Sequence, residues 1–254
     1  MSEFPPSITQ INHVAPAPRR IRGSVGNAIL FDSTRAMYVW EWPHYPQYYV
    51  PREDVRMDFL RPQGDPTVTP QGQAQTYALS TPAVRAAAAR LILTSPIEGL
   101  RETVRFTWDA LDQWFEEDEE IFVHPRSPYT RVDALRSRRR VRLEIDGVVL
   151  AESPSPVMLF ETGLPTRYYL DPSDVALAHL IPSPTRTACP YKGRTTGYWS
   201  VSVNAKTHAD LAWMYSFPTR QVLPIAGLVA FLNEKVDAFI DGVAQPRPRT
   251  HMGQ

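Results

Sequence analysis

The chain contains one cysteine, Cys189, in 254 residues. A lone sulfur excludes an internal disulfide and a zinc site built on several thiolates. Net charge is also missing, since 27 basic side chains balance 27 acidic ones. Without a global cationic field there is no general attraction to nucleic acid or to an anionic membrane, and neither is expected as a partner. The longest strongly apolar run, Leu223 to Leu232, is interrupted by Pro224 and falls well short of the ~20 residues a membrane-crossing helix needs. Met1-Ser2-Glu3-Phe4-Pro5-Pro6 has neither a basic nor an apolar leader region, so a cytoplasmic location is expected. Six histidines are scattered without a His-Glu-x-x-His spacing or a His/Cys cluster. No metal and no cofactor is expected.

What the chain does have is a duplication. Residues 20–62 align with 140–182 at a constant offset of 120, and eleven pairs are identical: Arg20/Arg140, Arg22/Arg142, Leu30/Leu150, Ser33/Ser153, Glu41/Glu161, Tyr48/Tyr168, Tyr49/Tyr169, Asp54/Asp174, Val55/Val175, Leu60/Leu180 and Pro62/Pro182. Unrelated segments would share roughly three, so one unit is used twice. Residues kept in both copies are expected to serve folding, and residues kept in one copy are free for chemistry.

The units read as mainly β, a β-rich α+β class. Arg140–Ala151 alternates polar and apolar residues and breaks at Asp146-Gly147, which predicts a hairpin, with Gly26-Asn27 at the same turn of copy one. Further short runs, Val157–Phe160 and Arg167–Leu170 with their mates Met37–Trp40 and Gln47–Val50, are bounded by proline and glycine. Twenty-five prolines suit many short strands better than a helical bundle. One helix is predicted, from a Ser80-Thr81-Pro82 cap into the alanine-rich stretch ending at Leu91, with a less distinct mate near Ala205–Tyr215. The expected organisation is a proline-rich arm (1–19), a first repeat with a degenerate site (20–116), an interdomain strand or brace (117–139), a second repeat with the candidate site (140–242) and a tail (243–254).

Beyond residue 62 the match continues with small shifts. Thr69-Pro70-Gln71-Gly72 falls on Pro190-Tyr191-Lys192-Gly193, Tyr77 on Tyr198, and Leu111, Asp112 and Trp114 on Val236, Asp237 and Phe239. In this alignment Val68 replaces Cys189, Gln71 replaces Lys192 and Ala78 replaces Trp199, so copy two alone keeps a thiol and an amine in one turn.

The strings Cys189-Pro190-Tyr191-Lys192-Gly193, Tyr198-Trp199-Ser200, Ala212-Trp213-Met214-Tyr215 and Ala226–Phe231 resemble the domain-of-unknown-function family four-two-seven. Copy one adds Trp114–Glu119 and His124–Tyr129, similar to members that carry the unit in tandem. The resemblance covers roughly 20–242 and implies two compact tent- or barrel-like antiparallel β units with short helices and no settled activity. The family's label suggests nucleotidyl transfer, yet the chain has no Gly-Ser followed by paired aspartates and no glycine-rich phosphate loop.

Candidate catalytic residues are Cys189, Lys192 and Glu161. The thiol is a nucleophile if Lys192 favours its thiolate, and otherwise a small buried hydrophobe. Lys192 could meet an anion, form a Schiff base, or sit in solvent. Glu161 could accept a proton or hold an arginine such as Arg142 or Arg167. Tyr191, Arg167, Tyr169, Tyr198, Trp199, Trp213 and Tyr215 are candidate substrate contacts, and the aromatics among them serve equally well as core. The acidic run Glu116–Glu120 and basic run Arg136–Arg140 read as solvated faces that offset each other. Two functions remain open: a domain, monomeric or homodimeric, that binds a small molecule and acts on it without a cofactor, or a non-catalytic tandem interaction module.

Overall fold

The computed structural model describes residues 9–80 and 85–250. These form two units, divided at residue 128. The first carries β1 (Val14–Pro16), β2 (Ile21–Val25), β3 (Ala28–Ser33), β4 (Met37–Val39), β5 (Gln47–Pro51), β6 (Leu60–Thr69), β7 (Gly72–Leu79), β8 (Arg85–Thr94), β9 (Thr103–Phe106), β10 (Gln113–Glu116) and β11 (Glu119–Ile121). The second carries β12 (Val132–Arg136), β13 (Val141–Ile145), β14 (Val148–Ser153), β15 (Val157–Glu161), β16 (Arg167–Leu170), β17 (Leu180–Pro182), β18 (Ala188–Cys189), β19 (Gly193–Arg194), β20 (Gly197–Val203), β21 (Lys206–Met214), β22 (Val229–Phe231), β23 (Asp237–Ile240) and β24 (Val243–Gln245).

The two units have one topology. A larger antiparallel sheet runs β1-β4-β5-β9-β8-β7-β6 in the first and β12-β15-β16-β22-β21-β20-β17 in the second. A smaller sheet runs β11-β10-β2-β3 and, correspondingly, β24-β23-β13-β14. Apolar residues from both sheets meet in one core per unit, Ile21, Leu30, Tyr38 and Phe106 in the first and Val141, Leu150, Leu170 and Phe231 in the second. Among the described residues neither sheet closes on itself, so these are open sheets and not barrels. The described helices are short 3-10 turns, in duplicate at Arg52–Asp54 and Pro172–Asp174 and at Met57–Phe59 and Leu177–His179.

The offset of 120 extends to irregular features. The β-bulge at Gly23/Ser24 recurs at Leu143/Glu144, and the isolated bridge Phe31–Val55 recurs as Ala151–Val175. Both expected hairpins are present, β2–β3 around Gly26-Asn27 and β13–β14 around Asp146-Gly147. Asp146 and Gly147 have φ of 49° and 77°, the left-handed pair a two-residue turn needs to match strand twist.

The helix expected over 80–91 is instead β8, apart from residues 81–84, which lie outside those described. Helix propensity is local, whereas β8 is placed by pairing with β7 on one side and β9 on the other. Its mate near 205–215 is likewise a strand, β21. The units also extend past their expected limits. Val14–Pro16, read as arm, pairs with β4; Val132–Arg136, read as strand or brace, pairs with β15; Val243–Gln245, read as tail, pairs with β23.

Glu116 is nearly buried and receives Arg19 and the Tyr48 hydroxyl, while Arg139 meets Asp241 and Arg140 meets Glu152. Each run is paired inside its own unit.

Candidate functional site

Alternation along β15 and β16 sends Met158, Tyr168 and Leu170 to the core between the sheets, and Val157, Leu159, Glu161 and Tyr169 to the opposite face. That second face is covered by the turn at 189–193 and the 3-10 segment Arg220–Ile225, which contribute Tyr191, Val222 and Ile225 to a second apolar cluster. Cys189 and Trp213 pack against the same cluster.

Into this cover projects Lys192. Its Nζ donates to Glu161 Oε2 at 2.5 Å, with both side chains largely removed from solvent. Trp213 Nε1 donates to the Tyr169 hydroxyl at 3.3 Å. Burial pulls the Lys192 ammonium down, but the charges of Cys189, Glu161, Tyr169 and Tyr215 outweigh it and hold the amine well above its ordinary value. A lysine kept cationic in this way stabilises negative charge and makes a poor amine nucleophile at neutral pH. Tyr169 is pushed up to about 12, first by burial and further by Cys189 and Glu161, against the opposing pull of Lys192 and the Trp213 hydrogen bond. Burial raises Tyr215 as well.

The sign of the tyrosine shift makes a prediction. Tyr169 ionises near 10 in the unfolded chain and only near 12 when folded, so stability is full below pH 10 and falls as pH rises through that window. Urea denaturation of wild type and Tyr169→Phe at pH 9 and pH 11.5 checks this: the variant should lose less stability across the interval, and equal losses would remove Tyr169 as a cause.

The structure thus brings together Cys189, Lys192, Glu161, Tyr169, Tyr191, Trp213 and Tyr215, with the Tyr198 ring 6.2 Å from Trp213 between paired residues of β20 and β21. It does not bring in Trp199, whose side chain turns to the core between the sheets. Arg167 has a different partner too. Its guanidinium grips Glu234 by two bonds, at 2.5 and 2.7 Å, and both side chains are buried. Arg142 pairs with Glu144 and lies over the Phe239 ring, so Glu161 holds neither arginine.

The first unit keeps the Glu–Tyr pair but neutralises it from another direction. Tyr49 donates to Glu41 at 2.8 Å, and Arg105 and Arg90 reach the same carboxylate at 3.0 and 3.2 Å. Strand register places Arg90 opposite Arg105 and, in the second unit, Trp213 opposite Ala230. Two strand arginines in one copy are therefore exchanged for one turn lysine in the other. Sequence comparison missed Arg90 and Arg105; the available signal was a lone arginine inside each of two otherwise apolar strand patterns, Ala-Arg-Leu and Val-Arg-Phe.

Register also corrects the alignment. Tyr77 and Trp199 occupy equivalent places opposite Pro62 and Pro182, so Trp199 matches Tyr77 rather than Ala78. Val68 is 89% exposed, unlike the packed Cys189, and does not stand in for it. Clefts lie in other places. One of about 760 Å³ in the first unit is lined by Arg35, Arg52 and Arg101 among others, and one of about 250 Å³ in the second lies beside Tyr168 and Asn233. Among the described residues no group of three or more His, Cys, Asp or Glu side chains could hold a metal, and no helix is long and apolar enough to cross a membrane.

Paired open antiparallel sheets, repeated in tandem with a partly buried glutamate and a buried tyrosine kept in each copy, define a duplicated β-domain protein. The chain belongs to the family described as Domain of unknown function (DUF427), whose model matches residues 13–117 and 133–242, one match per unit. A comparison with curated proteins finds no match.

Proposed function

We propose that the second unit binds a small molecule at the Cys189–Gly193 turn and acts on it through the Cys189 thiol without a cofactor. The observation that carries this reading is the convergence of Glu161, Lys192 and Cys189 with two buried phenols on one face of the sheet. The fixed ammonium would stabilise an oxyanion formed when the Cys189 sulfur adds to a carbonyl. Glu161 holds the ammonium in place and is a carboxylate of the same cluster available to take a proton. The restriction of both Cys189 and Lys192 to copy two fits a site used once.

The test is a thermal-shift screen of the full chain against cell metabolites, because a ligand that binds only the folded state raises the melting temperature by an amount set by its concentration and affinity. A compound that stabilises wild type and is lost on Cys189→Ser, with unchanged stability of the unliganded variant, supports the proposal. A compound that binds wild type and Cys189→Ser alike would place the site elsewhere.

One observation favours a second reading, a tandem interaction module. Phe217 is 86% exposed in the segment that borders Gly193, and Phe160 and Ile181 are also exposed on the same unit. Aromatic side chains left in water in this way are a common feature of protein contact surfaces. Phe217→Ser should then abolish capture of a protein partner while leaving small-molecule stabilisation intact.

A further inference from the structure

The smaller cleft of the second unit lies where the first unit is filled by its own indole. In the first unit β10 runs against β2 with Trp114 opposite Gly23 and Phe115 opposite Arg22. In the second, β23 runs against β13 with Ala238 opposite Leu143 and Phe239 opposite Arg142. The offset of 120 equates Gly23 with Leu143 and Arg22 with Arg142, and each arginine lies over the phenylalanine beside it, at 5.2 and 4.5 Å from the ring centre. Ala238, and not Phe239, therefore holds the place of Trp114.

Trp114 is nearly buried. Its indole stacks on Trp108 at 4.6 Å and on Tyr48 at 5.9 Å, meets the Phe31 ring edge-on at 5.5 Å, and donates from Nε1 to the Trp108 carbonyl at 3.0 Å. In the second unit the tyrosine is kept as Tyr168, while Phe31 becomes Ala151. Trp108 becomes Asn233, two residues beyond the matched phenylalanines Phe106 and Phe231. Three large rings give way to Ala238, Ala151 and Asn233, and the change from Gly23 to Leu143 refills only part of the space.

What remains is a cleft of about 250 Å³ whose lining includes Tyr168, Val236, Ala238, Leu164 and Pro246, with Asn233 among them. Asn233 is 5% exposed. Its Nδ2 donates to the Thr166 carbonyl at 2.8 Å, which fixes the amide, since the flipped arrangement would set two acceptors against each other. Its Oδ1 consequently faces no protein donor. A buried acceptor without a partner is destabilising, and in a native structure it is met by a bound water or by another donor from outside the chain.

We propose that this cleft is a binding site for a planar aromatic heterocycle carrying an N–H, of indole size, stacked on Tyr168 and, after a small shift of the side chains that enclose Asn233 Oδ1 in the empty cleft, donating to that oxygen. The ligand supplies in trans what Trp114 supplies in the first unit: a flat ring against the conserved tyrosine and an N–H for a nearby oxygen. A volume of about 250 Å³ lies below the usual ~300–1,000 Å³ of drug-sized pockets, so one or two fused rings fit and a dinucleotide does not. The site is independent of the Cys189 turn, because Tyr168 and Tyr169 point to opposite faces of β16.

The test is calorimetric titration of the full chain with indole, N-methylindole and benzofuran, three rings of similar shape of which only indole has the N–H. Indole should bind saturably, and the other two about five- to tenfold more weakly for want of one hydrogen bond. Ala238→Phe should fill the cleft and abolish indole binding while leaving Cys189 alkylation by iodoacetamide unchanged. If that variant does not fold, Asn233→Leu decides, because it should erase the preference for indole over N-methylindole. Absence of saturable indole binding, as expected if the cleft holds only water, would overturn the proposal. So would equal affinity for the three rings, or indole binding that survives Ala238→Phe.

Discussion

Arg167→Met should lower the stability of the second unit by about 3–5 kcal/mol, measured by urea denaturation, because it strands the Glu234 carboxylate in a buried place. The bidentate geometry leaves that carboxylate few other donors, namely the Thr250 hydroxyl and the backbone N–H of Glu234 itself. Removing both charges, as in Arg167→Met with Glu234→Leu, should restore most of the loss, since a buried pair replaced by apolar groups of similar volume is often close to neutral. Wild type should also weaken in acid. Burial raises the Glu234 carboxyl, but the hydrogen bond and charge of Arg167 and the Thr250 hydroxyl prevail and hold it below its ordinary range. A depressed folded value gives stability that is present above the unfolded pKa of ~4.3 and lost as pH falls further. If Arg167→Met were as stable as wild type but lost ligand binding, Arg167 would be a substrate contact after all.

Much of the fold could be read directly from the chain, and the reasons are local. Two-residue turns at Gly26-Asn27 and Asp146-Gly147, with period-two alternation on either side, leave few other ways to pair β2 with β3 and β13 with β14. The constant offset holds equally through the 3-10 turns at 52–54 and 172–174, although no turn was read there from the sequence. Strand β8 could not be read in the same way. Its Ala86–Arg90 stretch favours helix by itself, and the strand is imposed by partners that lie before and after it in sequence. The edge strands β1, β12 and β24 are three to five residues long, too short for a pattern to show.

The site was legible in one direction only. Glu161 and Tyr169 stood out because both copies keep them, and Lys192 because one copy lacks it. Arg90 and Arg105 were hidden because they neutralise Glu41 from positions that hold Trp213 and Ala230 in copy two, and no residue-by-residue match reveals such an exchange. The one-residue slips at Trp199 and Phe239 have a related cause. Runs of interchangeable apolar residues align almost as well at neighbouring offsets, whereas strand register moves every side chain to the other face on a single step. That slip concealed the Trp114-to-Ala238 replacement.

The same exchange reverses an inference that sequence alone invites. Gln71 stands at the place of Lys192 in the first repeat, both followed by a left-handed glycine, Gly72 against the end of β8 and Gly193 against the segment after β21, which suggests that Lys192→Gln is harmless. Gln71 is tolerated because Glu41 already has two arginines, and Gln71 itself turns to Asn12. Glu161 has no such reserve: the positions that hold Arg90 and Arg105 in the first unit hold Trp213 and Ala230 in the second. Lys192→Gln should therefore cost about 3–5 kcal/mol, the penalty for leaving a largely buried carboxylate without its cation. The double variant Lys192→Gln with Glu161→Gln should recover most of that loss, since two neutral amides can hydrogen-bond where two charges did. Alkylation of Cys189 by iodoacetamide separates structure from chemistry. Loss of the ammonium slows it in both variants, whereas Glu161→Gln alone frees the ammonium for the sulfur and should speed it. If Lys192→Gln proves as stable as wild type, the carboxylate has found another partner, and Lys192 is not what holds Glu161 in the sheet. If all three variants alkylate at the wild-type rate, Lys192 does not act on the thiol, and the proposed chemistry at Cys189 fails with it.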